Sequence, residues 1–196
     1  MTPERLARVI EAIDAVNARD PRRAEDGRPH ELAYADRLTA WVLRLTPTPS
    51  DALRIAARGQ HIERWTSPRD SQPLDRGGYL RWRERLKHFH ADRVVGLMRD
   101  QGCAEDETRR VSDLITKTAH RAGEPEGLIL EDALCLLFFE TPWDSLRDKL
   151  PGDKLDNALR KTWAKMSPRG REQARKMTLP LELRRRVDSL ETHGRS

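Results

Sequence analysis

The chain has very little cysteine, and that scarcity removes whole classes of fold. Only Cys103 and Cys135 occur in 196 residues. Their spacing suits neither a disulfide framework nor a cysteine-ligated metal. Long apolar runs are missing too. The opening MTPERLARVI holds no signal-peptide core, and no stretch reaches membrane-spanning length. The expectation is a soluble, cytoplasmic protein with no membrane partner. Strand-type alternation and internal repeats are also absent. Hydrophobic residues make up 37%, below the usual globular share, and charged residues 35%. That leaves enough apolar material for a core beneath a heavily charged exterior. The imbalance of sign is small: 37 Lys and Arg against 32 Asp and Glu, a net charge of +5. A mildly basic surface favours anionic partners such as phosphorylated small molecules, nucleotides or nucleic acid.

What is present is helical periodicity. TPERLARVIEAIDAVNARD starts with Thr2 as a cap and Pro3 at the first helical position. HELAYADRLTAWVLRL (30–45) stops at TPTPS, and Ser50 caps DALRIAARGQHIERW. The stretch 66–78 reads as a long loop. A long helix then runs to Gly102, and AEDETRRVSDLITKTAH reads as the next. LILEDALCLLFFETPW is the most apolar segment, and KLDNALRKTWAKM follows it. The spacing predicts an all-α protein, a compact single helical domain over 1–170 followed by a basic, partly flexible extension over 171–196.

Several titratable residues sit on apolar faces. His90, in RLKHFHADRVVGLM, lies between Leu86 and Val94 at helical spacing. His61 follows Ala57 by one turn, His30 opens its helix, and Asp132 shares a face with Cys135, Leu136 and Phe139. A buried carboxylate must be paired, hydrogen-bonded or bound to a cation. Neutral imidazole and carboxylate together are ligands for zinc, iron or manganese. Each residue also has a plainer reading, as a satisfied core or capping group.

The order of these residues resembles the HD superfamily, all-helical metal-dependent phosphohydrolases and related oxygenases. That resemblance implies an HD-like fold with His30, His61, His90 and Asp132 as metal ligands. Ile62 stands where the superfamily pattern has the aspartate of its His-Asp pair, with Glu63 beside it. The stretches ELAYADRLTAWV, AARGQHIERWTSPRDSQPLDRGGYLRWR, LKHFHADRV, LEDALCLLFFE and KLDNALRKTWAKMS resemble domain-of-unknown-function family 4202. The second resemblance covers most of residues 1–170 and implies no activity.

The loop after His61 adds a basic, aromatic cluster. Arg58, Arg64, Arg69, Arg76 and Arg83 accompany Tyr79 and Trp82. Guanidinium groups grip phosphate bidentately and stack on aromatic faces. The same arginines could equally form a solvated face paired with Asp70, Asp75 and Glu84. Two functions follow as expectations. One is a metal-dependent phosphohydrolase acting on a nucleotide or other phosphate ester. In it Glu63 orients the attacking water, and His90 serves as fourth ligand or general acid. The other is a metal-free nucleotide- or RNA-binding module on a degenerate HD-like scaffold. A weaker third is a scaffold that recruits an acidic protein through its basic surface.

Overall fold

Side-chain caps start several of the helices. Thr2 Oγ1 accepts from the amide of Arg5, Ser50 Oγ from that of Leu53, Asp75 Oδ1 from that of Gly78 and Ser167 Oγ from that of Gly170. The computed structural model describes residues 1–71, 73, 75–150 and 152–192. Among these it is all-α, without a strand. The helices are α1 (Pro3–Asn17), α2 (His30–Leu45), α3 (Asp51–Gly59), α4 (Arg76–Asp100), α5 (Glu105–Ile115), α6 (Thr118–Arg121), α7 (Pro125–Phe139), α8 (Trp143–Lys149), α9 (Asp153–Lys165), α10 (Pro168–Lys176) and α11 (Leu181–Thr192). No helix among the described residues is long and apolar enough to cross a membrane.

The chain forms two compact units, Met1–Leu130 and Glu131–Ser196. Residue 170, where the sequence reading places the start of the basic extension, lies within α10. The basic tail is amphipathic: Ala174, Leu183 and Val187 are fully buried, and α11 packs on α9. In this second unit Leu136, Phe139, Leu159 and Trp163 supply apolar core, with Phe139 edge-on to Trp163.

In the first unit α3 is the central element, packed by α1, α2, α4 and α5. Its Leu53, Ile55, Ala56 and Ala57 are buried without remainder. Gly59, the last residue of α3, approaches α4 so closely that a Cβ there would lie 2.3 Å from Val94 Cγ2. Only glycine allows that contact.

Two expected helices are shorter than their periodicity. The segment from Asp51 is helical only to Gly59, not to Trp65, and Gln60–Glu63 form a turn. Likewise 104–120 breaks at Lys117 into α5 and α6. Glu63 (φ 53°) and Lys117 (φ 66°) take left-handed backbone at these breaks. They are the non-glycine residues with positive φ among those described.

Candidate functional site

The break after α3 lifts His61 off the helix and into a turn. There its ring stacks on Tyr34 of α2, with centroids 4.2 Å apart and planes 12° apart. On another side the His61 ring lies 5.8 Å from that of His90 on α4. His90 is buried, and its Nδ1 is 2.7 Å from the carbonyl oxygen of Ile62. A carbonyl only accepts, so a neutral His90 carries its hydrogen on Nδ1 and presents Nε2 as a lone pair. Phe89 meets the His90 ring edge-on at 5.5 Å.

Glu31 completes this cluster and was not singled out by sequence. It is buried, and its Oε2 lies 3.7 Å from His61 Nδ1. That oxygen accepts no hydrogen bond among the described residues. Its other oxygen takes Arg22 at 2.5 Å and faces His30 Nδ1 at 3.5 Å. Asp20 lies behind. It accepts the Glu31 amide at 3.1 Å, capping α2 from a distance because Pro29 supplies no side-chain cap. It also accepts Arg22 Nε and Nη2. Burial alone would raise the Asp20 carboxyl, but the Arg22 and backbone bonds hold it below its ordinary value.

Both inner imidazoles are held neutral. Burial lowers His90 to about 4 against an ordinary 6.5, despite its bond to Ile62. His61, with 36% of its side chain exposed, is still pushed well below 6.5. The protein packed around it partly desolvates the ring, and His90, Arg64, Lys117 and His30 add repulsion. Lys117 is thus a second neighbour that no sequence signal marked.

Of the expected metal ligands, the structure brings His30 and His61 to Glu31 and places His90 beside His61, with His30 the outermost at 46% exposure. Asp132 belongs to the second unit. Its two oxygens accept the Ser167 amide at 2.8 Å and the Ser167 hydroxyl at 2.5 Å, which fixes the start of α10. Asp20, His30 and Glu31 each offer a donor atom within 4.8 Å of the others, but the Arg22 guanidinium already bridges the two acids. The ligand set implied by the HD resemblance therefore does not fit: Ile62 offers no carboxylate, Asp132 is engaged by Ser167, and the acids near His30 have a resident cation.

The other expected site residues divide into two groups. Glu63, expected to orient water, forms an ion pair with Arg93 Nε. Arg58, expected at the substrate, is largely buried and bridges Asp14 on α1 and Asp36 on α2. Both are thus taken up by structural pairs, because α1 and α4 present a partner that the local sequence does not show. Arg76, the first residue of α4, is exposed. Arg64, Arg69, Tyr79, Trp82 and Arg83 do assemble. Arg64 lies 4.5 Å over Trp82, Arg69 lies 5.6 Å over both Trp82 and Tyr79, and Arg83 lies 5.6 Å over Tyr79.

Arg64 differs from the ion-paired arginines of this unit. Its Nη1 donates to the Ser67 carbonyl at 2.8 Å. No described carboxylate forms an ion pair with it; Glu31 acts on it only through space, and burial pushes its guanidinium below its ordinary value. A half-buried cation without an ion-paired carboxylate beside neutral imidazoles is suited to receive an anion.

No curated protein and no solved structure matches the chain. One family model does match, over residues 7–187, and spans both compact units. The chain belongs to the family described as Domain of unknown function (DUF4202).

Proposed function

We propose that the first unit is a metal-free binding module for a phosphate-bearing anion, seated between Arg64 and the His61–His90 pair. One observation carries the reading: the Arg64 guanidinium is half-buried, stacked on Trp82 and ion-paired with no described carboxylate. Arg22, Arg58 and Arg110 are each bonded to two acids. Lys117 adds positive charge near His61. The neutral imidazoles add hydrogen-bonding edges without further charge.

The test is calorimetric titration with inorganic phosphate and a nucleoside monophosphate, before and after Arg64→Gln. Loss of a charge-assisted contact lowers affinity by about tenfold to a hundredfold. Removing a desolvated, unmatched charge leaves the ligand-free protein as stable as before, or more so. Equal phosphate affinity in the variant refutes the reading.

A second reading is metal-assisted hydrolysis of a phosphate ester. It rests on the Glu31 Oε2, a buried carboxylate oxygen without a hydrogen-bond donor, 3.7 Å from His61 Nδ1. Elemental analysis of protein purified without added metal or chelator discriminates. A stoichiometric transition metal replaces the first reading with the second.

A further inference from the structure

Three of the five arginines between residues 64 and 83 form a ladder in which guanidinium groups alternate with aromatic rings: Arg64, Trp82, Arg69, Tyr79, Arg83. The two rings stand 6.0 Å apart, tilted by 36°. Trp82 is buried and Tyr79 is 40% exposed, so the ladder runs from the interior to the surface. Arg83 is exposed and Arg69 half-buried. Stacking on a ring fixes a guanidinium plane; at the exposed Arg83 this leaves the N–H edge available to a phosphate oxygen, while Arg69 Nη2 donates to the Pro73 carbonyl at 2.8 Å. The Nε1 of Trp82 is a further donor, buried and without an acceptor among the described residues.

The two rings on which the guanidinium groups rest stand at a spacing wider than the step between phosphorus atoms in a phosphoanhydride chain. It suits the longer repeat of a sugar–phosphate backbone. Interleaved cations and aromatics are also how single strands are held without sequence preference. We infer that the ligand is the phosphorylated end of a single-stranded nucleic acid, its terminal phosphate at Arg64 and the following backbone along Arg69, Tyr79 and Arg83. The inference rests on the reading of Arg64 as the anion anchor.

The experiment uses the full chain and fluorescent ten-nucleotide homopolymers of RNA and DNA, with a phosphate or a hydroxyl at the unlabelled end. Anisotropy is read across a salt series. The phosphorylated strand binds more tightly than inorganic phosphate, and its affinity falls with salt. Arg83→Gln and Tyr79→Ala, both at exposed positions, weaken it about tenfold, a loss within the range of a phosphate or ring contact. Arg99→Gln removes the same charge from the far end of α4, where Arg99 faces Glu105, and changes affinity less than twofold. Two results overturn the inference: strands that bind no tighter than inorganic phosphate, or an Arg99 variant as weak as the Arg83 variant. Either leaves the phosphate titration of Arg64→Gln standing, so failure of the strand and failure of the anion site are read separately.

Discussion

His90 Nδ1 and the carbonyl oxygen of Ile62 form a 2.7 Å hydrogen bond that ties α4 to the turn carrying His61. The bond fixes the tautomer of one imidazole and the position of the other. His90→Leu removes the donor and leaves the Ile62 carbonyl, in a fully buried residue, unmatched. The expected loss is about 1–3 kcal/mol, read as a lower urea midpoint at pH 7.5. An unchanged midpoint means that the turn does not depend on the bond.

The same histidine makes stability acid-sensitive. Its folded value of about 4 lies below the unfolded 6.5. Between these values the unfolded chain holds a proton that the folded chain does not, so stability rises with pH. The contribution is complete above 6.5 and disappears as pH falls towards 4. For His90 it amounts to roughly 3 kcal/mol, and His61 acts in the same direction. Denaturation at pH 7.5 and pH 4.5 checks this. His90→Gln flattens the dependence, and a slope equal to the parent's assigns it to other groups.

Two glycines of the first unit respond oppositely to alanine. At Gly59 the new Cβ meets Val94 Cγ2 at 2.3 Å, and overpacking costs about 1–3 kcal/mol. At Gly96, inside α4, nothing lies within 4 Å of the new atom. There alanine raises stability by about 0.5–1 kcal/mol. Thermal melts of the pair decide whether α3 and α4 touch backbone to side chain.

Arg58 bridges Asp14 and Asp36, so its loss is structural. Arg58→Ala lowers stability by about 1–3 kcal/mol, while phosphate affinity changes less than twofold. A large loss of affinity in a folded variant restores Arg58 to the binding site.

In the second unit Asp132→Asn keeps the shape and removes the charge that receives Ser167. About 1–2 kcal/mol is lost. A Cβ at residue 170 falls 2.3 Å from Asp132 Oδ1, so Gly170→Ala strains the same contact. The double variant loses less than the sum of the two single losses. Strict additivity in the melts refutes the coupling.

Much of the helical framework was legible from capping and periodicity. The bounds of α2 follow from Pro29 and TPTPS, and Thr2 and Ser50 stand where caps occur. His90 in an apolar stripe is indeed buried. Other features were not readable because they depend on distant partners. Glu31 looks like an ordinary acidic first-turn residue, yet Arg22 and Asp20 permit its burial. Lys117 interrupts a continuous helical pattern by a backbone reversal that no local residue announces. Arg58 and Glu63 resemble site residues until α1, α2 and α4 supply their counter-charges. Asp132 carries the mark of a buried ligand, and its burial is explained by an amide and hydroxyl at residue 167.

Glu63 and Lys117 hold a backbone handedness that glycine would adopt without steric penalty. Each therefore carries roughly 1 kcal/mol or more of local strain. Glu63 ties its loop to α4 through Arg93, and Lys117 brings its charge to His61. Glycine at either place would ease the main chain but erase that anchor or that charge. Tolerance of an awkward turn here is a thermodynamic measure of what the ammonium and carboxylate groups contribute beside the imidazoles.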